Sequence, residues 1–429
     1  MDAVRLRDLR ELLRRIPSIP VVAAGHGKQP GSASLRGEGV DLLLYFGTGV
    51  LAREIQSSAR LGAWCVQQPS LRSTRSVPAP FWDMYECNPT VRYGQEIVDQ
   101  SDPDMRMVYR SSGIANHLSL ALNENMAFWR IEEFLWTRLS KPGRLDPQVQ
   151  CTSAADLSSE SYRLNNPMMA KFLVRWTGRT LRHEIRKRLF REQWSIALQR
   201  KSERPQPDSM EGLKMLRPAP DRLYADPFLI DWNGRTYLFF EDYRYGTEKG
   251  LISCCEIDAA GNYGRPRVVL ERSYHLSYPF LFSWQGEIYM IPETAENRTI
   301  ELYRASRFPD FWVHEMDLMS AVVAVDSTLL HYRGKWWLFT AGVLDHTSPN
   351  EALFLFFADS PFGPWTAHPK NPIVSDPRCA RPAGSLYFMD DQLIRPGQDC
   401  VRDYGYAIQL QRVDVLSETD YRETTFSAI

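Results

Sequence analysis

The sequence contains no apolar run long enough to form a transmembrane helix. Its longest runs, such as "ALFLFFA" at residues 352–358, are far shorter than the roughly 18 residues that a bilayer-spanning helix needs. An apolar signal core is also missing from the N-terminus, "MDAVRLRDLRELLRRIP", which is charged and amphipathic. We therefore expect neither a membrane span nor secretion, and the expected location is cytoplasmic.

The chain also lacks an excess of charge of either sign and a paired cysteine motif. Fifty-one basic residues against 52 acidic residues leave a net charge of -1, so no overall field attracts nucleic acid. The seven cysteines include no C-x-x-C pair, and Cys254 and Cys255 are adjacent, which favours reduced thiols over disulfides or a zinc site. No metal, cofactor or nucleic-acid partner is expected.

The chain does contain enough apolar material for two domains. Its 429 residues, 44% hydrophobic and 24% charged, have the composition of an ordinary globular protein. The apolar periodicity changes character near residue 200. Before that point, "VDLLLYFGTGVL" at 40–51 predicts a buried strand, and residues 116–139 have helical spacing. These patterns indicate an α/β domain over residues 1–150.

Residues 151–190 are predicted to form a polar linker followed by a basic amphipathic helix. The linker is "CTSAADLSSESYRLNNP", residues 151–167. The helix either packs an apolar stripe on a neighbour with its cations in water, or binds a polyanion or a membrane surface. Peripheral membrane contact through residues 168–191 stays open. The cations recur near helical spacing and are Lys171, Arg175, Arg179, Arg182, Arg186 and Lys187.

A repeat of about 50 residues fills the chain after residue 220. Segments that contain "YADPFLI", "SYPFLF", "VDSTLL" and "RPAGSLYF" share one plan, in which a pivot residue precedes a strand, a turn and a second strand. The pivots Asp226, Tyr278, Asp326 and Pro382 are 52, 48 and 56 residues apart. This period predicts an all-β, five-bladed β-propeller over residues 191–429. The fifth blade would close if "QWSIALQR" at 193–200 paired with the C-terminal strands.

The pivots predict an acidic site at one end of the propeller axis, because the first strand of each blade lines the central channel. Carboxylates gathered there repel one another, so at least one should have a raised pKa. Alternatively, an acid such as Asp226, which precedes Pro227, only caps a turn. The residues expected to converge are Asp226, Glu241, Asp242, Glu293, Asp326, Arg381, Arg395, Gln398 and Asp399, flanked by His275.

The motifs "ADPF" and "VDST" resemble those of the five-bladed arabinanase, xylosidase and invertase-like glycosidases. That resemblance implies a catalytic set of Asp226, Glu293 and Asp326, in which an Asp is base or nucleophile, the Glu is the acid and the second Asp tunes it. The chain order differs, because those families usually place the Glu after the second Asp. The other candidates are then expected to bind substrate, namely Glu241, Asp242, His275, Arg381, Arg395, Gln398 and Asp399.

A longer set of motifs resembles the N-terminal domain of plant glucosamine inositolphosphorylceramide transferases and their bacterial relatives. It covers residues 190–425 and includes "QWSIAL", "LYADPFLI", "YHLSYPFLF", "VDSTLL" and "ARPAGSLYF". The resemblance implies glycan chemistry. In the plant enzymes the recognised transferase domain follows this region.

Residues 37–140 resemble the formyltransferase fold of bacterial sugar-gene-cluster proteins and methionyl-tRNA formyltransferase. The resemblance rests on "DLLLYFGTGVL" and "ARLGAWCVQQPSLRSTRSVPAPFWDMYECNP". That family uses an Asn, a His and an Asp, but Gln67 and Gln68 stand where the His would fall. Glutamine cannot change protonation near neutral pH, so this domain is expected to be degenerate.

Three functions remain open from the sequence. The first is a carbohydrate-active propeller enzyme that transfers or hydrolyses a glycosyl group without a metal. The second is a formyl or other acyl transferase that acts on an amino sugar through the N-terminal domain. The third is a non-catalytic glycan-binding or scaffold protein. The expected partner is a sugar or glycan, with a nucleotide sugar or a lipid-linked acceptor as candidates.

Overall fold

The chain divides into two compact units in a computed structural model. The model describes residues 40–45, 59, 63–67, 79–91, 96–99, 106–109, 113–126, 129, 164–199, 213–342 and 348–428. The first unit consists of residues 1–79, 93–110 and 142–164, and the second of residues 80–92, 111–141 and 165–429. Residues 80–92 and 111–141, which the sequence assigned to the N-terminal domain, therefore group with the propeller residues.

The described part of the first unit is a four-stranded mixed sheet. Its order is β1 (Leu43–Tyr45), β2 (Ala63–Gln67), β4 (Glu96–Asp99) and β5 (Arg106–Tyr109). Strands β1 and β2 are parallel, and the other two pairs are antiparallel. Gln67 ends β2, whereas Gln68 lies outside the described residues. The formyltransferase-like architecture of residues 1–150 stays a prediction.

The second unit begins with two helices that pack on each other. Helix α1 (Ala79–Glu86) contacts helix α2 (Asn166–Leu189) through the rings of Phe81 and Phe172, whose centroids lie 4.8 Å apart. The side chain of Asn165 caps α2 by accepting the N–H of Met168. Between them, β3 (Thr90–Val91) pairs with β6 (Gly113–Ile114), and residues 120–126 are helical. Helix α2 lies where the sequence predicts a basic helix, whereas residues 151–163 of the predicted linker lie outside the described residues. Among the described residues, no helix is both long and apolar enough to cross a membrane.

Four antiparallel sheets follow in chain order, and each is one blade of a β-propeller. Blade 1 contains β9 (Arg222–Trp232), β10 (Arg235–Arg244), β11 (Lys249–Ile257) and β12 (Arg267–Leu270). Blade 2 contains β13 (Ser277–Trp284), β14 (Glu287–Glu293), β15 (Thr299–Arg307) and β16 (Phe311–Ser320). Blade 3 contains β17 (Ala324–Tyr332), β18 (Lys335–Gly342), β19 (Leu353–Ala358) and β20 (Thr366–Ala367). Blade 4 contains β21 (Arg381–Pro382), β22 (Tyr387–Met389), β23 (Gln392–Asp399), β24 (Ala407–Leu416) and β25 (Tyr421–Ala428).

The first strands of the blades contact one another in series, β9 with β13, β13 with β17 and β17 with β21. They therefore surround a common axis, as the first strands of a propeller do. Aromatic side chains fill the spaces between blades, for example Phe228 of blade 1 edge-on to Tyr278 of blade 2 at 4.8 Å. Trp284 of blade 2 meets Trp336 of blade 3 in the same way at 5.1 Å. The propeller predicted from the repeat is confirmed.

The predicted closure by residues 193–200 is wrong in its pairing. Strand β7 (Ile196–Leu198) pairs with β8 (Lys214–Leu216), while the last strand, β25, pairs with β24. The small sheet packs its Ile196 and Leu216 on the apolar side chains of blade 1. Just before it, Trp194 touches the ring of Tyr404 in blade 4, with ring centroids 6.4 Å apart. A two-stranded sheet therefore lies next to blade 1, and its flanking Trp194 reaches blade 4.

Candidate active site

The same backbone distortion begins each of the first three blades. Asp226, Tyr278 and Asp326 have φ angles of 49°, 42° and 54°, in the left-handed region that non-glycine residues seldom adopt. The ladder register shifts by one residue at each of them. The preceding residue pairs with the second strand in every blade: Ala225 with Glu241, Ser277 with Glu293, Val325 with Ala341, and Arg381 with Gln398. The four repeats are therefore in structural register. The side chains at the pivots and at the paired positions of the second strands converge at one end of the axis.

An ion pair between Asp326 and Arg381 lies at the centre of this site. Arg381 donates from Nε to Oδ2 of Asp326 at 2.6 Å and from its Nη2 to Oδ1 at 3.3 Å. Gln398 adds a hydrogen bond from Nε2 to Oδ2 of Asp326 at 3.1 Å. Asp326 is only 1% exposed. A two-point contact of this kind is a charge-assisted pair between a carboxylate and a guanidinium, so Arg381 holds the side chain of Asp326 in one fixed orientation.

Glu293 lies next to the carboxylate of Asp326, and its own carboxyl group has few stabilising partners. Its Oε2 atom is 3.6 Å from the Nη2 of Arg381 and makes no hydrogen bond within the described part of the chain. Burial raises the pKa of Glu293 well above its usual value, and the neighbouring charge of Asp326 raises it further, although Arg381 opposes this. The carboxyl group of Glu293 is therefore much harder to ionise than that of a solvent-exposed glutamate.

Asp226 also has a strongly perturbed carboxyl group. Burial and the charge of Asp326 raise its pKa to about 7, against the opposing effects of Arg381 and a hydrogen bond from the N–H of Tyr278 at 3.3 Å. The group is thus close to half ionised at neutral pH. That is the range in which one carboxyl group can both accept and release protons.

Glu241, the fourth carboxyl group, is contacted by a histidine of fixed tautomer. The backbone N–H of Gly250 donates to Nδ1 of His275 at 3.0 Å, so the proton of the neutral ring resides on Nε2. That nitrogen lies 3.3 Å from Oε1 of Glu241. Burial lowers the pKa of His275, whereas burial and the charges of Asp226 and Glu293 raise the pKa of Glu241. The pair is therefore a neutral donor facing a carboxyl group that resists ionisation.

Gly250 is required for this arrangement. A Cβ atom at that position would lie 2.4 Å from the carbonyl oxygen of Leu276, 2.7 Å from Cε1 of His275 and 2.8 Å from Oε1 of Glu241. Residue 250 has no room for a side chain, because the ring of His275, the carboxyl group of Glu241 and the carbonyl oxygen of Leu276 all lie too close. The close approach of blade 1 to the segment entering blade 2 thus depends on glycine.

Three residues near the cluster were not among the candidates chosen from the sequence. Tyr278 occupies a pivot, but its hydroxyl is buried: it accepts the N–H of Gly384 at 2.9 Å and bonds Thr328 at 2.8 Å. It therefore joins blades 2, 3 and 4. Asn350 accepts the remaining Nη1 of Arg381 at 3.0 Å. Tyr404 places its ring 5.0 Å from the same guanidinium.

Three candidates chosen from the sequence lie outside the cluster. Asp242 contacts Arg222 and Ser253 within blade 1. Arg395 is fully buried, and it pairs with Glu423 while also donating to the carbonyl of Cys379. Asp399 accepts the backbone N–H of Val401 and the side-chain amide of Gln409. All three contact partners within their own blade or its flanking connections, which is the pattern of a structural role, and their assignment as substrate-binding residues stays a prediction.

The seven other candidates occupy the site. Asp226, Glu293 and Asp326, predicted as catalytic, lie with Glu241 around Arg381, and His275 and Gln398 contact two of these acids. Within the described ranges, no group of three or more His, Cys, Asp or Glu side chains has an arrangement that could hold a metal ion. The chemistry that these residues themselves offer is proton transfer and hydrogen bonding.

The fold and cluster define this region as a β-propeller with an acidic site at one end of its axis. Residues 215–428 match the family model described as glucosamine inositolphosphorylceramide transferase 1, N-terminal. The chain is 36% identical over 208 residues to the protein of that name from rice (Oryza sativa subsp. japonica) and 38% identical over 211 residues to the one from Arabidopsis thaliana. Its C-terminal half therefore resembles the N-terminal domain of that transferase.

The resemblance covers only part of the relatives. Each match spans 48% of this chain, but only 28% of the rice protein and 27% of the Arabidopsis protein. Among solved structures, the chain is similar to a family 117 glycoside hydrolase from Zobellia galactanivorans, with 15% identity, 48% and 70% coverage of the two chains and a TM-score of 0.38. It is also similar to an exo-β-1,3-galactanase from Clostridium thermocellum, with 13% identity, 48% and 50% coverage and a TM-score of 0.40.

Proposed function

We propose that the propeller is a carbohydrate-active module that acts on a glycosidic bond at its acidic cluster. The observation that carries the proposal is an ion-paired carboxylate next to a carboxyl group that resists ionisation. Asp326 is ion-paired with Arg381, while burial and the neighbouring carboxylate raise the pKa of Glu293 well above its usual value. Enzymes that cleave or form glycosidic bonds combine such a carboxylic acid with a carboxylate.

The proposed roles follow from the protonation states. Glu293 donates its proton to the leaving oxygen as the bond from that oxygen to the sugar carbon breaks. Asp226, with a pKa of about 7, accepts a proton from the incoming hydroxyl group. Asp326 stays ionised and stabilises positive charge that develops on the sugar. Water as the incoming group gives hydrolysis, and the hydroxyl of an acceptor gives transfer.

The named relatives support a sugar as the ligand. Their name, glucosamine inositolphosphorylceramide transferase 1, contains a sugar and a lipid. For this chain we propose a sugar or glycan substrate, supplied by a nucleotide sugar or received by a lipid-linked acceptor.

We also propose that the β7–β8 sheet takes the fifth blade position, because its contacts with blade 1 and the contact of Trp194 with blade 4 fit the gap in a ring of five.

The test is an assay of the full chain against a panel of aryl glycosides and nucleotide sugars, with sugar binding measured in parallel by calorimetry. Glu293→Gln should abolish turnover while sugar binding is kept, because the amide cannot supply a proton. Glu287→Gln is the matched control, since Glu287 is an exposed glutamate on the same strand. Sugar binding without turnover by the wild type would favour a glycan-binding module, and no binding to any sugar would refute the proposal.

A further inference from the structure

Helix α2 presents two different faces to its surroundings. On one face, Phe172 packs on Phe81, and Trp176 donates its indole N–H to the carbonyl of Leu118 at 3.0 Å. Arg179 on the same face reaches the carbonyl of Met84. Every residue from 181 to 190 is exposed, so the last two turns extend beyond this contact. The docking face accounts for only part of the apolar content of the helix.

The face opposite the docked one carries a second apolar stripe. Val174, Leu181 and Ile185 are 74%, 60% and 46% exposed, and their spacing places them along one side of the helix. Leu189 at the end of the helix and Phe190 directly after it add apolar surface, at 72% and 68% exposure. Large apolar side chains grouped in this way on a solvent-facing surface indicate a binding partner rather than scattered surface residues.

Cations flank that stripe along its whole length. Arg175, Arg182 and Arg186 directly follow the three apolar residues and therefore form a parallel row about 100° around the helix. In all, α2 carries seven lysines and arginines and only one acidic residue, Glu184. The whole chain has a net charge of -1, so this positive charge is a local property of the helix.

We propose that this face of α2 lies on the surface of an anionic lipid bilayer. An interfacial helix needs an apolar stripe to enter the headgroup boundary and adjacent Lys or Arg to meet anionic lipid, and α2 has both on its free side. A soluble polyanion would use the arginines and leave the stripe in water. A purely apolar partner surface would leave the row of Arg175, Arg182 and Arg186 without a counterpart. The surface is independent of the acidic cluster and of the reaction proposed there.

The experiment is flotation of the full chain with vesicles of phosphatidylcholine alone or of phosphatidylcholine mixed with phosphatidylglycerol. We expect binding to the mixed vesicles, weakened by salt because exposed charges are screened over about 10 Å at 0.1 M. Failure to bind the mixed vesicles at low salt would overturn the proposal. Equal binding to both vesicle types would do the same, because it would remove the role of the cations.

Two triple variants separate the contributions of the two rows. Replacing Arg175, Arg182 and Arg186 by Gln should weaken binding to mixed vesicles about a hundredfold. Each of the three cations contributes a similar factor to the affinity for an anionic surface, and the three factors multiply. A matched control neutralises three exposed propeller arginines, Arg235, Arg412 and Arg422. It makes the same change in net charge and should bind like the wild type. If the control loses as much affinity, general charge and not this helix governs binding, and the proposal fails.

The second variant replaces Val174, Leu181 and Ile185 by Ser and should weaken binding by at least about tenfold, even at low salt. All three side chains are exposed, so the melting temperature should stay at the wild-type value. Undiminished vesicle binding by this variant would overturn the proposal and indicate a polyanion-binding surface. Unchanged flotation of both triple variants would also overturn the proposal, because another surface of the protein would then bind the vesicles.

Discussion

Replacing Asp226 by Asn should stabilise the protein, and more strongly at alkaline pH than at acidic pH. The folded-state pKa of Asp226 is raised from 3.8 to about 7, so the ionised form is disfavoured in the folded state. The protein therefore has its full stability below the pKa of Asp226 in the unfolded state, and it loses stability as the pH rises through the pKa of Asp226 in the folded state. Between pH 5 and pH 8 this loss is about 3 kcal/mol, because it grows by about 1.4 kcal/mol per pH unit until the pH reaches the folded-state pKa. Asn removes the loss, and it tolerates the positive φ that Asp226 adopts.

Urea unfolding at pH 5 and pH 8 measures this effect directly. The difference in unfolding free energy between Asp226→Asn and the wild type should be about 3 kcal/mol larger at pH 8 than at pH 5. Asp231→Asn is the control, because Asp231 is exposed on the same strand. An equal effect of Asp226→Asn at both pH values would refute the raised pKa. A loss of stability at both would show that the carboxylate only holds the blade together.

The blades could be predicted from the sequence because each repeat carries its own local signals. The turns that end the first strands, and the pivots 52, 48 and 56 residues apart, mark equivalent points that the register confirms. The partner of β7 could not be predicted in the same way. A short apolar strand fits any free sheet edge equally well, and its choice of β8 depends on packing against blade 1.

Alternation along the strands would have refined the predicted site. Successive side chains of a strand point to opposite faces, so Asp242 next to Glu241, and Asp399 next to Gln398, point away from the cluster. Arg395, three residues before Gln398, is excluded by the same rule. The sequence places Arg381 among the acids as a neutralising charge but does not show which acid it pairs with. Repulsion alone makes every acid of the cluster destabilising, whereas the two-point ion pair makes Asp326 a stabilising member.

Three further changes test the surroundings of the cluster. Asp326→Asn should cost on the order of 3–5 kcal/mol in urea unfolding, because it leaves the buried guanidinium of Arg381 without its partner; unchanged stability would show that this ion pair is not stabilising. Gly250→Ala should displace His275 and change its tautomer in ¹⁵N NMR spectra, and an unaltered spectrum would contradict the close packing. Tyr404→Ala should weaken sugar binding by about tenfold, because this exposed ring beside Arg381 offers a flat surface to the apolar face of a sugar. Tyr404→Phe keeps that ring and should bind like the wild type, so an equal loss in the Phe and Ala variants would show that the hydroxyl, not stacking, holds the sugar.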